Sequence, residues 1–256
     1  MTTRTVNRSD GNAARSRPRQ RHVGGFSLIE LAVVTVIITL LLGSLMIPIA
    51  TQIDNRRYSE TEKQLAHIRE ALIGFALAKR YLPCPAKSKT DGHEDRDPAT
   101  NMCTDPGGGG GPTRAGFLPW VTLGVTRHDA WNNLFRYSVT PSFANSDPNS
   151  YFALDTNGDI QIKASSTVNL TNNEIPAFVL SHGKNGFGAT SSIGTTRYTP
   201  GAWTGDEQVN ATDVDEVYVR VRTENTAATG GEYDDVVGWV SLNQLFARMV
   251  SAGRLP

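Results

Sequence analysis

Cysteine is nearly absent from this 256-residue chain: Cys84 and Cys103 are the only two. No set of His and Cys completes a metal site around them, since structural zinc takes four such ligands. The five histidines, His22, His67, His93, His128 and His182, are scattered along the chain. There is no HExxH, no GxSxG and no phosphate-binding glycine–lysine loop, so no local motif speaks for an enzyme, and none is expected. Ser181 beside His182 is not a dyad by adjacency, because neighbours on a strand point to opposite faces. Net charge is also missing, with 25 basic and 25 acidic side chains. The distribution is uneven, however. Arg4, Arg8, Arg15, Arg17, Arg19 and Arg21 stand in residues 1–25 against Asp10 alone, which leaves 19 basic and 24 acidic side chains in the remainder. A basic arm of this kind can be a nucleic-acid tail. The apolar run directly after it argues for a membrane instead, and no nucleic acid is expected.

Residues 26–50 read FSLIELAVVTVIITLLLGSLMIPIA, 25 residues with Glu30 as the only charge. At 1.5 Å of helical rise per residue, such a run crosses a hydrocarbon core of roughly 30 Å. The preceding arginines keep the N-terminus cytoplasmic by the positive-inside rule and put the rest of the chain on the far side. A cleaved secretory signal is the competing expectation, but its apolar region is normally about 7–15 residues long and free of acids. Glu30 is the anomaly. A carboxylate in an apolar span costs on the order of 2.5–3.5 kcal/mol on insertion scales, so it needs a partner or a task. No cation lies within a turn or two beyond it; a new α-amino group at Phe26 would supply one.

Gly25, Phe26, Ser27, Leu28, Ile29 and Glu30, after a basic leader and before a long apolar run, resemble the processing motif of the type IV pilin and type II secretion pseudopilin superfamily. The resemblance implies that a prepilin peptidase cuts between Gly25 and Phe26 and methylates the new N-terminus. It also implies that Glu30 pairs with a neighbouring subunit's N-terminal amine during assembly. The leader is long for that family, and Gly24 doubles the glycine. Looser likenesses to the head of major pseudopilins lie at Asp129–Tyr137, Leu180–Gly186 and Gly231–Asp235, the last leading to Trp239. In the first of these, Asn132 replaces the usual glycine.

Beyond Ala50 the helical pattern continues without a break signal, with Leu65, Ile68, Leu72 and Phe75 forming one apolar stripe. One helix is therefore expected from about Phe26 to about Arg80, stopped by Pro83 and Pro85. Strands are expected at 116–124, 134–139, 151–154, 159–163, 175–181, 216–222 and 236–242, with a hairpin turn at Asp155–Asp159. Residues 86–115, with five glycines at 107–111, and residues 188–213 read as loops, and a last helix takes Leu242, Leu245, Phe246, Met249 and Val250 on one face. The organisation expected is a leader at 1–25, a transmembrane helix at 26–50, its amphipathic continuation at 51–82 and a head at 83–256. The expected fold class is α+β: a long N-terminal helix, transmembrane in its first half, packed on an antiparallel sheet, pilin-like.

In an oxidising compartment Cys84 and Cys103 are expected to pair, with two free thiols or a metal pair as the alternatives. Acidic stretches at Asp213–Glu216 and Asp234–Asp235 raise calcium, which takes several oxygen ligands. Major pseudopilins carry calcium in a loop before the last strand, so the resemblance points to Asp234 and Asp235. Asn185 stands where another acid would help, and solvated turn acids are the preferred expectation. The function expected is a structural subunit of a periplasmic (pseudo)pilus for type II secretion or type IV pilus-type assembly, in the bacterial inner membrane with a periplasmic head. Its partners would be the prepilin peptidase, other pilin or pseudopilin subunits through the N-terminal helix, the inner-membrane assembly machinery, and lipid before assembly. The alternatives are a membrane-anchored periplasmic binding module, recognising another secretion component or an exoprotein, and a tethered enzyme.

Overall fold

The computed structural model describes residues 25–104, 114–171, 175–197 and 204–255, with the side chains of 44–49 outside the description. All of the expected leader at 1–25 except Gly25, and the glycine run at 107–111, lie outside the described residues. The chain divides into two compact units, Met1–Ala50 and Thr51–Pro256.

Helix α1 spans Leu28–Lys79. It starts where it does because Ser27 and Glu30 form a capping box. The Glu30 amide donates to Ser27 Oγ at 3.2 Å, and the Ser27 amide donates to Glu30 Oε2 at 3.5 Å. Within the first unit its apolar side chains are exposed, Leu28 at 88% and Leu40 at 70%. Within the second unit, Thr61, Leu65, Ile68, Leu72, Ile73 and Ala76 are buried, a stripe at helical spacing. Arg80 ends the helix in the left-handed region (φ 70°), its amide donating to Ala76 O at 2.7 Å.

The second unit holds two sheets. Strands β1 (Ala115–Phe117), β2 (Arg136–Val139), β5 (Ala177–Ser181) and β7 (Val236–Val240) form an antiparallel sheet in the order β1-β2-β5-β7. Strands β3 (Gln161–Ser165), β4 (Val168–Asn169) and β6 (Glu216–Tyr218) form the other, ordered β4-β3-β6, and the β3–β6 pair is parallel. Short helices α2 (Trp120–Leu123), α3 (Pro141–Ala144) and α4 (Asp206–Thr212) interrupt the strands, and α5 (Leu242–Ser251) ends the unit. The main core gathers the α1 stripe with Phe135, Tyr137, Val139, Phe143, Phe152, Val179, Val240, Leu245 and Met249. A second cluster, around Ile160, Ile162, Phe178, Leu180 and Val217, lies between the sheets' residues.

The expected fold class is corrected by this architecture. The strands are split between two sheets, one of them mixed, rather than joined in a single antiparallel sheet. Nor is a long helix laid along a sheet. The α1 side chains enter a core that α3, α5 and the Phe143–Phe152 aromatics share, while α1 makes no extended backbone contact with any strand among the described residues. Among the described residues no helix is long and apolar enough to cross a membrane. The apolar part of α1 with described side chains stops at Gly43, and beyond Thr51 charged residues occupy most of its faces.

Local expectations fail as well: the stretch 116–124 is strand only to Phe117 and helical at Trp120–Leu123, and the expected loop 188–213 holds α4. Residues 151–154 form no strand, because Phe152 is used as a packing ring, 4.8 Å from Phe143 and 6.3 Å from Phe246. Without that strand Asp155–Asp159 closes no hairpin. Asp159 instead accepts from Arg114 Nη2 and from Thr140 Oγ1, each at 2.5 Å.

Candidate metal centre

Three carboxylates from two distant segments meet in the second unit. Glu207 sits in the first turn of α4; Asp234 and Asp235 lead into β7. Their exposures are 1%, 6% and 7%, and one oxygen of each lies within 4.8 Å of the others. The expectation of solvated turn acids at Asp234 and Asp235 is therefore corrected. Burial comes from the neighbours: Tyr233 is itself buried and donates its hydroxyl to Tyr218 O at 2.6 Å, which pins the chain just before the acids.

The turn after β5 supplies the third wall. Gly183 (φ 57°) is pressed so close that a Cβ there would fall 2.1 Å from Asp234 Oδ1, so only glycine fits. The Asn185 amide donates to Asp234 Oδ2 at 2.8 Å, and its side-chain amide donates to Glu207 Oε2 at 2.9 Å. The Asp234 amide donates to Glu207 Oε1, and Asn210 Nδ2 donates to Asp235 Oδ2 at 2.8 Å. Asp234 Oδ1 and Asp235 Oδ1 are left buried with no hydrogen-bond partner among the described residues.

Nearby basic residues offset the cluster only in part: the Arg136 charge acts on Asp235, but burial and the Glu207 charge outweigh it. His182 Nδ1 lies 3.7 Å from Asp235 Oδ1, but burial first, and the Arg136 charge second, push its pKa down to about 3. It is neutral at physiological pH. Arg136 turns its guanidinium to the carbonyls of Ala211 and Asp213, each at 2.6 Å. Burial is the main cause raising the pKa of all three acids, and the Glu207 charge adds to it at Asp235. Three buried carboxylates at this range either take up protons or share a cation. The donor set is all oxygen and includes orphaned atoms, which suits a hard divalent ion of the calcium class rather than zinc. Glu207, Asp234 and Asp235 would each offer it one carboxylate oxygen.

Sequence inspection missed Glu207, which lies 27 residues before Asp234 in a stretch read as loop. The signal that could have found it was Gly205-Asp206-Glu207 ahead of Val209, a helix start with acids in its first turn. The other acidic stretch is structural: Asp213 Oδ1 accepts the amides of Asp215 and Glu216 at 2.8 and 3.1 Å.

The remaining sequence candidates sit elsewhere. Gly25 and Phe26 precede α1 directly, Phe26 at 78% exposure, and Glu30 is exposed within its capping box. Cys84 and Cys103 are joined, S–S 2.12 Å, in a segment organised by Arg96. That guanidinium donates to Asn101 O and Ala144 O at 2.8 and 2.5 Å and lies 4.5 Å over the Tyr81 ring. Closing a loop of separation 19 stabilises by roughly 3 kcal/mol in the chain-entropy model. Changing both cysteines to serine is expected to lower the urea midpoint accordingly; an unchanged midpoint would leave Arg96 as the main fastener. Asn132 takes the left-handed conformation (φ 62°) that glycine would otherwise supply, which asparagine tolerates best among residues with a Cβ. Its turn is held by Asp129 Oδ1, which accepts the amides of Trp131 and Asn133, both at 2.9 Å.

Comparison with family models, with curated proteins and with solved structures finds no match for the chain.

Proposed function

We propose that this chain is a pilin-like structural subunit of a bacterial periplasmic (pseudo)pilus, serving type II secretion or type IV pilus-type assembly. The observation that carries this is the segment Gly25–Glu30 standing at the very start of α1. A cut between Gly25 and Phe26 leaves a free amine immediately before the capping box, and Glu30 is exposed and, among the described residues, engaged only within its own turn. The proposed anchor is the apolar sequence 26–50, with the inner membrane as its location and the head periplasmic. Prepilin peptidase, like subunits and the assembly machinery are the proposed partners, and the chain carries no proposed catalytic role. Calcium is the proposed ion at Glu207, Asp234 and Asp235, where it would neutralise the buried acids and fix the approach to β7.

The mature N-terminus tests this. Mass spectrometry of protein from membranes is expected to find N-methylated Phe26; an intact Met1, or a cut near Ala50, would refute the proposal.

A second reading is a membrane-tethered binding module. It is favoured by a cavity of about 590 Å³ lined by Asp54, Tyr58, Lys184, Arg222 and Glu232, among others. Replacing 26–50 by an unrelated anchor separates the two: a filament subunit loses its function, and a binding module keeps it.

A further inference from the structure

The acid cluster is physically continuous with one face of α1. Asp234 and Asn185 line the same cavity as Asp54, Asn55 and Tyr58. Lys184, next to the residue whose amide holds Asp234, reaches Asp54 Oδ2 at 2.6 Å and Glu224 Oε1 at 3.9 Å. Arg222 lies 3.9 Å over the Tyr58 ring and donates to Asn55 Oδ1 at 3.3 Å. Tyr58 faces the same cavity as Asp234, and its ring meets Trp131 edge-on at 4.6 Å. One four-residue turn, 183–186, thus grips Asp234 through a backbone amide and α1 through a side chain.

We propose that a cation bound by Glu207, Asp234 and Asp235 is coupled to the seating of residues 54–58 of α1, with Lys184 and Tyr58 as positioning residues between them. The inference rests on the cation reading of the cluster. The Lys184–Asp54 pair is half exposed, and such pairs alone contribute little. It gains when the turn that carries Lys184 is fixed by a buried anchor. A cation removes the repulsion among the three acids and holds Asp234 against the Asn185 amide and Gly183. The origin of the Lys184 side chain is then fixed, and Asp54 finds it in place. Linkage makes the effect mutual: whatever seats α1 raises cation affinity by the same factor.

The sign of one substitution separates coupling from plain electrostatics. Removing the Lys184 charge beside a cation site should raise cation affinity if only Coulomb forces act. Coupling predicts the reverse. With the full chain in detergent micelles and calcium chloride as probe, Lys184→Met is expected to bind calcium about 5–10-fold more weakly, within the usual range of coupling between sites. Lys184→Arg, which keeps the ion pair, is expected to stay near the unsubstituted value, and Tyr58→Phe to fall between. In hydrogen exchange, calcium is expected to protect amides 51–62 as well as 183–186 and 232–236. An unchanged or higher affinity in Lys184→Met, or protection at 232–236 without any at 51–62, overturns the coupling while leaving the cation site standing. No calcium-dependent protection anywhere in the unsubstituted chain overturns both.

Discussion

Glu30→Ala is expected to be processed normally and to assemble at least about tenfold less, read as the sheared filament fraction against membrane-bound subunit. The residues flanking the proposed cut, Gly25 and Phe26, are unchanged, so a peptidase would meet the same junction. The helix itself should survive. Loss of a capping interaction costs about 1 kcal/mol, and α1 extends over 52 residues. What is lost is the charge that would neutralise an incoming amine. An ammonium group left unpaired in a low-dielectric environment is far more costly than a lost cap, since breaking one partner of a buried pair costs about 3–5 kcal/mol. Glu30→Gln keeps the size and loses the charge, and should fail nearly as badly. Filament yield equal to that of the unsubstituted chain in both variants would remove Glu30 from assembly and leave it as a helix cap alone.

The second large effect concerns calcium and pH together. In chelator, the folded head holds Glu207, Asp234 and Asp235 with raised pKa values. The folded state therefore binds more protons than the unfolded state above the ordinary carboxylate range. Stability from this source is fully present below the unfolded pKa, about 4, and is lost as pH rises through the raised values. Without calcium the melting temperature should fall between about pH 5 and pH 7.5. With calcium at about 100 times its Kd, the head gains about 2.7 kcal/mol, or roughly 5–10 °C for a unit of this size. The gain should be greatest at the higher pH, because binding must displace the protons. Asp235→Asn should abolish most of it. Melting curves that coincide in chelator and calcium across this pH range would show that the acids live by protonation alone.

What could be anticipated divides by the range over which each signal acts. Strands β2, β5 and β7 and helix α5 rest on dense apolar runs that stand out locally; the three strands lie inside their expected spans, and α5 carries the five residues expected of the last helix. Tyr151–Leu154 carries an equally apolar run, yet its Phe152 is claimed by Phe143 and Phe246 from other segments, a demand invisible in four residues. The turn at Asp155–Asp159 has hairpin chemistry but no strand before it to pair. Asp234 and Asp235 were visible as acids before a final strand. Their burial was not, because it depends on Glu207, Gly183 and Asn185 arriving from elsewhere. The division of the strands into two sheets was equally hidden, since β3 takes its parallel partner β6 from more than fifty residues downstream.

That parallel pair also sets an order of events. Both β6 and β7 find their partners, β3 and β5, across long stretches of chain, so neither sheet can close until residues 216–240 have emerged. As the chain emerges, its final stretch delivers β7, α5 and two of the three acids at once. The head is thus finished from its C-terminal end, and truncations that spare residues 1–230 would still leave it unclosed.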